Sequence, residues 1–182
     1  MIRLIGPGGA GKSSAGARLA ERLGVPFVDL DERFGATVGD VSKFIESRGY
    51  DAYAARNVRV YADAVGGAAS REWVLALSSG FMTYREDVHP AYVRFRSDIV
   101  AGPATFVLLP SLELETCVAE TVRRQIARPF GRSAEREEQV IRARFAVHRD
   151  LPVTRIETMR PVEEVVEAIA AKLAARGPDV RS

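Results

Sequence analysis

The sequence predicts an α/β fold in which a five-stranded parallel sheet is flanked by helices on both faces. Three observations predict this fold. Short apolar segments of strand length alternate with longer amphipathic segments of helical period. The first apolar segment, residues 2–5, runs into a glycine-rich loop that a helical segment follows. The chain of 182 residues is long enough for one core and contains no repeat or linker.

The predicted strands and helices alternate in order from the amino terminus. Gly24 ends the first helix, Gly49 ends the next, and Pro161 suits the first turn of the last one. We expect one domain over residues 1–176 and a frayed tail over 177–182. The predicted strands are 2–5, 27–29, 73–77, 106–109 and 153–157. The predicted helices are 13–23, 38–47, 53–69, 91–100, 112–126, 137–149 and 161–175.

Composition argues against several classes of protein. The hydrophobic content of 47% and the charged content of 27% are ordinary for a globular domain. The net charge is +2 and basic residues are spread along the chain, so we expect no nucleic-acid partner. The single cysteine, Cys117, excludes an internal disulfide. No apolar run has membrane-spanning length and the first strand begins at Ile2, so we expect a cytoplasmic protein without a membrane partner.

The loop after the first strand carries the Walker A pattern G-x-x-x-x-G-K-S over residues 6–13. Its glycines let the backbone turn tightly, so that amide N–H groups surround phosphate oxygens. Lys12 is predicted to contact the β- and γ-phosphates of ATP, and Ser13 to offer its hydroxyl to Mg²⁺. The predicted nucleotide-binding residues of this loop are Gly8, Gly9, Ala10, Gly11, Lys12, Ser13 and Ser14.

Two carboxylates, Asp29 and Asp31, stand at the end of the second strand. In an extended segment they point to the same side, because positions two apart share a face. Beside a bound triphosphate, one can serve Mg²⁺ and the other can accept a proton from a substrate hydroxyl. The alternative is a turn that leads into a helix N-cap.

The third and fourth strands do not end in the apolar run plus Asp of motor-type ATPases and GTPases, and no N-K-x-D motif is present. This favours a kinase for a small metabolite or a nucleotide. A segment rich in arginine, glycine and proline, residues 128–136, suits a closing lid that delivers an arginine to the transferred phosphate. A solvated basic loop is the alternative.

The chain resembles shikimate kinases over nearly all of its length. The resemblance rests on G-P-G-G-A-G-K-S-S and the following L-A-E-R-L-G, then V-P-F-V-D-L-D-E, R-P-F-G-R-S-A-E-R and R-I-E-T-M-R-P-V-E-E-V-V-E-A-I. It implies a P-loop kinase with a five-stranded parallel sheet, a lid at about 128–137 and a small helical substrate-binding region at about 32–70. It also implies ATP and Mg²⁺.

The resemblance further implies roles for individual residues. Asp29 would serve Mg²⁺ and Asp31 the substrate hydroxyl, while Arg144 would bind a substrate carboxylate. Arg128 would lie near the adenine. Arg136 would serve the transferred phosphate, with Arg132 as the alternative.

The substrate side departs from the family pattern. The family has a glycine triplet where this chain has Ser78, Ser79 and Gly80. We still predict that these three residues bind the substrate. By register, the substrate-binding arginine of the family falls on Ala54 and its supporting glutamate on Asn57. Arg56 is the candidate replacement, with Arg59 as another, although Arg56 lies about 200° around the helix from Ala54.

These observations lead to the hypothesis of an ATP-dependent kinase that phosphorylates a hydroxyl of a small polar metabolite, either shikimate or another small alcohol. Two alternatives stay open. One is a different P-loop kinase that acts on gluconate or a nucleoside monophosphate. The other is a nucleotide-binding regulatory module without catalysis, which the loss of the arginine and glutamate on the substrate side motivates. We expect a monomer or a weak dimer.

Overall fold

Five parallel strands form the sheet of this protein. The computed structural model describes residues 1–67, 72–127 and 133–176 of the chain. The order across the sheet is β2-β3-β1-β4-β5, with β1 at the centre, so the predicted five-stranded parallel sheet is confirmed. The strands are β1 (Ile2–Ile5), β2 (Phe27–Asp29), β3 (Val74–Ala76), β4 (Thr105–Leu109) and β5 (Thr154–Glu157).

Eight α-helices and two short 3₁₀ helices connect these strands within the described residues. The α-helices are α1 (Lys12–Leu23), α2 (Leu30–Val38), α3 (Val41–Arg48), α4 (Tyr50–Gly66), α5 (Tyr92–Ala101), α6 (Leu114–Ile126), α7 (Ala134–Arg149) and α8 (Val162–Ala174). The 3₁₀ helices span Phe81–Thr83 and Glu86–Val88. No helix in the described ranges is long and apolar enough to cross a membrane. The expected cytoplasmic location stays a prediction.

Each face of the sheet buries its own hydrophobic cluster, because successive side chains of a strand point to opposite faces. In β1, Leu4 packs into the cluster that α1 and α8 cover, while Ile5 packs into the larger cluster with α2, α4 and α7. In β4, Phe106 and Val107 divide in the same way. The sheet is therefore covered on both sides.

Helix α2 was absent from the predicted helices, since the predicted helix 38–47 corresponds to α3 and a helix start after Asp29 was only the alternative interpretation. Asp29 caps α2 by accepting hydrogen bonds from the backbone N–H groups of Asp31 and Glu32. Burial of Leu30 and Phe34, both fully inaccessible, stabilises a segment whose internal glycine lowers its helix propensity. Gly39, with φ of 113°, then separates the two helices.

Two other helices, α4 and α7, begin three residues before their predicted starts. Helix α4 begins at Tyr50 rather than at residue 53, directly after Gly49 at φ 84°. Its predicted end at residue 69 lies outside the described residues. Helix α7 begins at Ala134 rather than at residue 137, because the Ser133 side chain accepts a hydrogen bond from the Arg136 N–H and caps the helix. Arg136 therefore belongs to a helix rather than to the predicted loop.

Candidate active site

The Walker A loop lies between β1 and α1, at the edge of the sheet where parallel strands end and ligands bind. Gly9 and Gly11 have φ of 76° and 89°, which a side chain would disfavour. A Cβ added to Gly8 would collide with Nε2 of Gln125, because α6 packs directly against the loop. The Walker A loop therefore leads directly into the amino terminus of α1, and anion binding by its backbone N–H groups stays a prediction.

Lys12 is buried in this loop, with 8% of its surface exposed. Its ammonium Nζ donates hydrogen bonds to the backbone oxygens of Gly6 and Pro7, both at 2.8 Å. The cation is therefore held over the loop. A flexible stem lets such an ammonium turn toward bound phosphates.

Asp29 connects the phosphate loop to the next strand. Its Oδ2 accepts a hydrogen bond from the Ser13 hydroxyl at 2.5 Å, and its Oδ1 accepts one from the Asp31 N–H at 2.9 Å. Asp29 and Asp31 do not share the face of an extended strand, because Asp31 lies in the first turn of α2. Asp29 thus combines the helix N-cap that the sequence left as an alternative with a position beside Ser13.

Ser13 and Asp29 fit the requirements of Mg²⁺, which prefers hard oxygen ligands and takes one or two carboxylates together with phosphates and water. Across residues 1–67, 72–127 and 133–176, no group of three or more His, Cys, Asp or Glu side chains forms a metal cluster.

A chain of uncharged polar side chains runs from Asp31 into the protein. The Tyr53 hydroxyl donates to Oδ1 of Asp31 at 3.5 Å, and Asn57 Nδ2 donates to Tyr53 Oη at 3.1 Å and to Ser78 Oγ at 2.9 Å. Burial, and then the charge of Asp31, raises the pKa of Tyr53, so its hydroxyl keeps its proton. Asn57 and Ser78 are buried. These contacts hold Asp31 beside the residues that follow β3.

Arg144 of α7 lies close to Gly80, which follows β3. Its Nη2 donates to Tyr50 Oη at 2.7 Å, and the guanidinium carbon lies 5.7 Å from the centre of the Tyr50 ring. A Cβ on Gly80 would collide with the Tyr50 hydroxyl and would lie 3.2 Å from Arg144 Nη2. Ser79 between Ser78 and Gly80 is half-buried. The predicted Ser78–Gly80 segment and Arg144 therefore lie together.

Ala54 and Arg56 differ in their surroundings on α4. Ala54 is 1% exposed and packs in the large hydrophobic cluster, so it presents no polar group. Arg56 is half-buried on the opposite side of the helix, which runs without interruption from Tyr50 to Gly66. The shift of the helix that would bring Arg56 to the position of Ala54 is therefore not seen, and the substrate role of Arg56 stays a prediction.

Sequence reasoning missed Arg124 of α6, which connects three parts of the nucleotide side. It donates to the Gly9 oxygen at 3.2 Å and to the hydroxyl and backbone oxygens of Thr158 at 3.1 and 2.8 Å. Its Nε donates to Glu120, and Arg123 and Arg124 together lower the pKa of Glu120 to about 2. No motif marks Arg124, because Gly9 and Thr158, the two residues that it connects to α6, are distant from it in sequence.

The lid residues are only partly described. Arg128 and Arg132 lie outside the described residues, together with the rest of residues 128–132 at the start of the predicted lid, about 128–137. Arg136 is exposed in the first turn of α7. The neighbouring Glu137 accepts a hydrogen bond from Gln125 at 3.2 Å, which joins the start of α7 to the helix that packs on the Walker A loop.

A Walker A loop at the edge of a parallel sheet, with a carboxylate on a nearby strand end beside its serine, defines a P-loop kinase. A family model described as shikimate kinase matches residues 8–174 of this chain. The shikimate kinase of Thermobifida fusca is 33% identical over 182 residues, which cover 96% of this chain and 95% of that protein. The chain belongs to the shikimate kinase family. It is an ATP-dependent small-molecule kinase of that type.

Other comparisons agree with this assignment. The shikimate kinase of Nitratidesulfovibrio vulgaris is 32% identical over 179 residues, which cover 95% of each chain. The solved structure titled as shikimate kinase from Acinetobacter baumannii in complex with shikimate has a TM-score of 0.74 at 24% identity, and the match covers 97% of this chain and 94% of that one. A gluconokinase from Sinorhizobium meliloti has a TM-score of 0.64 at 21% identity, covering 98% and 94%. Both structures show the fold alone.

Proposed function

We propose that this protein transfers the γ-phosphate of ATP to a hydroxyl of shikimate. The observation that carries the proposal is the pair of hydrogen bonds to Asp29, which links Ser13 of the phosphate loop to Asp31. Through these two hydrogen bonds Asp31, the candidate proton acceptor, is held beside the phosphate loop. The relatives named above, at about a third identity over nearly the whole chain, support shikimate as the acceptor.

On the nucleotide side, the backbone N–H groups of the loop bind phosphate oxygens, and Lys12 turns from the Gly6 and Pro7 oxygens to the β- and γ-phosphates. Ser13 and Asp29 are the residues that would hold Mg²⁺, which neutralises phosphate charge when bound. Arg124 keeps the loop in place through the Gly9 oxygen. We assign Arg128 to the adenine side.

On the acceptor side, Asp31 accepts the proton of the substrate hydroxyl. The oxygen of that substrate hydroxyl forms a bond to the γ-phosphorus, while the bond between the γ-phosphorus and the β–γ bridging oxygen breaks. ADP leaves. Arg136 neutralises charge that develops on the transferred phosphoryl group. Arg144 binds the carboxylate of shikimate, and Ser78, Ser79 and Gly80 form the wall beside it.

The direct test is an ADP-release assay with Mg-ATP and purified protein. We expect turnover with shikimate to exceed turnover with gluconate or with nucleoside monophosphates by at least about 100-fold in kcat/KM, because acceptor polar groups are recognised by buried partners. Turnover of another acceptor with shikimate inactive would reject shikimate as the substrate. ATP binding without turnover of any acceptor would instead support a regulatory module.

Replacement of Arg136 by alanine is expected to lower kcat by about 10³-fold while the Kd for ATP changes by less than about threefold. The reason is that we assign Arg136, which is exposed in the first turn of α7, to the transferred phosphoryl group, whose charge develops in the transition state. Single-turnover kinetics and equilibrium binding of ATP measure the two quantities. Arg142→Ala, on the exposed side of the same helix, serves as the control. Equal losses in kcat and in ATP affinity for Arg136→Ala would contradict this role.

A further inference from the structure

The resemblance to shikimate kinases implies a second hydrogen-bond donor for the acceptor carboxylate beside Arg144, at a position that holds the buried Ala54 in this chain. We propose that the Tyr50 hydroxyl is this donor, so that Tyr50 and Arg144 together bind the carboxylate. This inference rests on the proposed function, since it names the recognition of the acceptor in the same site.

Tyr50 lies on the side of α4 from which an arginine at position 54 would act. At 100° per residue, Ala54 is about 40° and Asn57 about 20° from Tyr50 around the helix axis. Helical side chains lean toward the amino terminus, so a long side chain at position 54 would carry its head over the turn that contains Tyr50. The phenol ring therefore occupies the region that the missing guanidinium would reach.

The contacts of Tyr50 place its hydroxyl beside Arg144. The Tyr50 oxygen accepts a hydrogen bond from Arg144 Nη2 at 2.7 Å, and the guanidinium lies over the phenol ring. The same oxygen lies so close to Gly80 that any Cβ there would collide with it. The Tyr50 hydroxyl, the Arg144 guanidinium and the Gly80 backbone thus form one corner of the predicted acceptor site.

The chemistry of this corner suits a carboxylate. A phenol oxygen that accepts a bond from Arg144 still has its own proton to donate. In the part of the chain that the structure describes, Tyr50 makes no second hydrogen bond, and 39% of its surface is exposed. Burial raises the pKa of the Tyr50 hydroxyl, so it remains protonated at neutral pH. A protonated phenol and a guanidinium can each donate to one carboxylate oxygen.

The two arginines of α4 are less suitable donors. Arg56 lies about 120° and Arg59 about 180° around the helix axis from Tyr50. Arg59 is exposed, and the helix has no break between Tyr50 and Gly66 that would turn either side chain toward Arg144.

The test is Tyr50→Phe, which removes the hydroxyl and keeps the ring that packs under Arg144. With shikimate as the acceptor, we expect KM to rise about tenfold to a hundredfold, because a hydrogen bond to a charged group is lost. The kcat and the KM for ATP should stay within about twofold. With an analogue in which a hydroxymethyl group replaces the carboxylate, wild type and Tyr50→Phe should have the same KM within about twofold.

The matched control is Tyr61→Phe, the same chemical change at a buried tyrosine further along α4. It should leave the KM for shikimate unchanged, and melting temperatures check that each variant is folded. An unchanged KM for shikimate in Tyr50→Phe overturns the inference while the proposed function stands. An equal rise in the KM of Tyr50→Phe for shikimate and for the hydroxymethyl analogue also overturns it, because such a rise indicates a changed shape of the site rather than a lost hydrogen bond to the carboxylate. Wild-type protein that neither binds nor phosphorylates shikimate overturns the proposed function and, with it, this inference.

Discussion

Replacement of Lys12 by alanine is expected to lower kcat by about 10²- to 10³-fold and to weaken ATP binding. Loss of one preorganised electrostatic contact to a group that gains charge in the transition state has a cost of this size. Lys12 Nζ lies 2.8 Å from two backbone oxygens of the Walker A loop, so its ammonium is already held beside the phosphate position. Phosphoryl transfer measured by ADP release, with ATP affinity measured by calorimetry, tests the expectation.

The control for this variant is Lys172→Ala, which removes an exposed lysine from the last turn of α8. It should have wild-type kcat and ATP affinity. Lys12→Arg is expected to be nearly as inactive as Lys12→Ala, because a planar guanidinium does not replace a compact ammonium between phosphates. A Lys12→Ala protein with kcat within about threefold of wild type would show that Lys12 does not contact the transferred phosphate.

Replacement of Asp31 by asparagine is expected to lower kcat by about 10²- to 10⁴-fold, since a general base in proton transfer contributes a factor of this size. Asparagine keeps the shape of the side chain and can still contact the Tyr53 hydroxyl, so the hydrogen bonds around Asn57 and Ser78 should persist. The KM for ATP should change little, because the Walker A loop is untouched. Steady-state kinetics with both substrates varied measures these effects.

Glu32→Gln is the matched control for Asp31→Asn, since it removes an exposed carboxylate from the next position in the same helical turn. It should retain wild-type kcat. If Asp31→Asn and Glu32→Gln lowered kcat equally, a general loss of negative charge near the phosphates would explain the result, and Asp31 would not be the base.

The nucleotide side was predictable because its residues are neighbours in the chain. The Walker A spacing places Gly8, Gly11, Lys12 and Ser13 in one loop and the first turn of α1, with the positive φ that the motif requires at Gly11. Alternation of strands and helices also indicated the parallel sheet, whose five strands were each found near the predicted positions. Prediction was wrong for α2, since burial of Leu30 and Phe34 against the core, rather than local propensity, stabilises that helix.

The acceptor side was less predictable because its contacts join separate elements. Tyr50 comes from α4, Gly80 follows β3 and Arg144 comes from α7, so their contact depends on how these elements pack. The same holds for Arg124, whose bonds to Gly9 and Thr158 cross more than 30 residues of sequence. No sequence pattern predicts such contacts, because the identities of the intervening residues do not indicate which distant residues will meet in the fold.

Periodicity and a motif whose geometry is local were sufficient to predict a parallel α/β fold with a Walker A loop. The hydrogen bonds of Asp29 with Ser13 and Asp31, and the contact of Tyr50 with Arg144, became evident in the folded arrangement of the helices and strands. The physical reason is that hydrogen bonds between distant residues form only after the hydrophobic clusters on both faces of the sheet have fixed the positions of the helices.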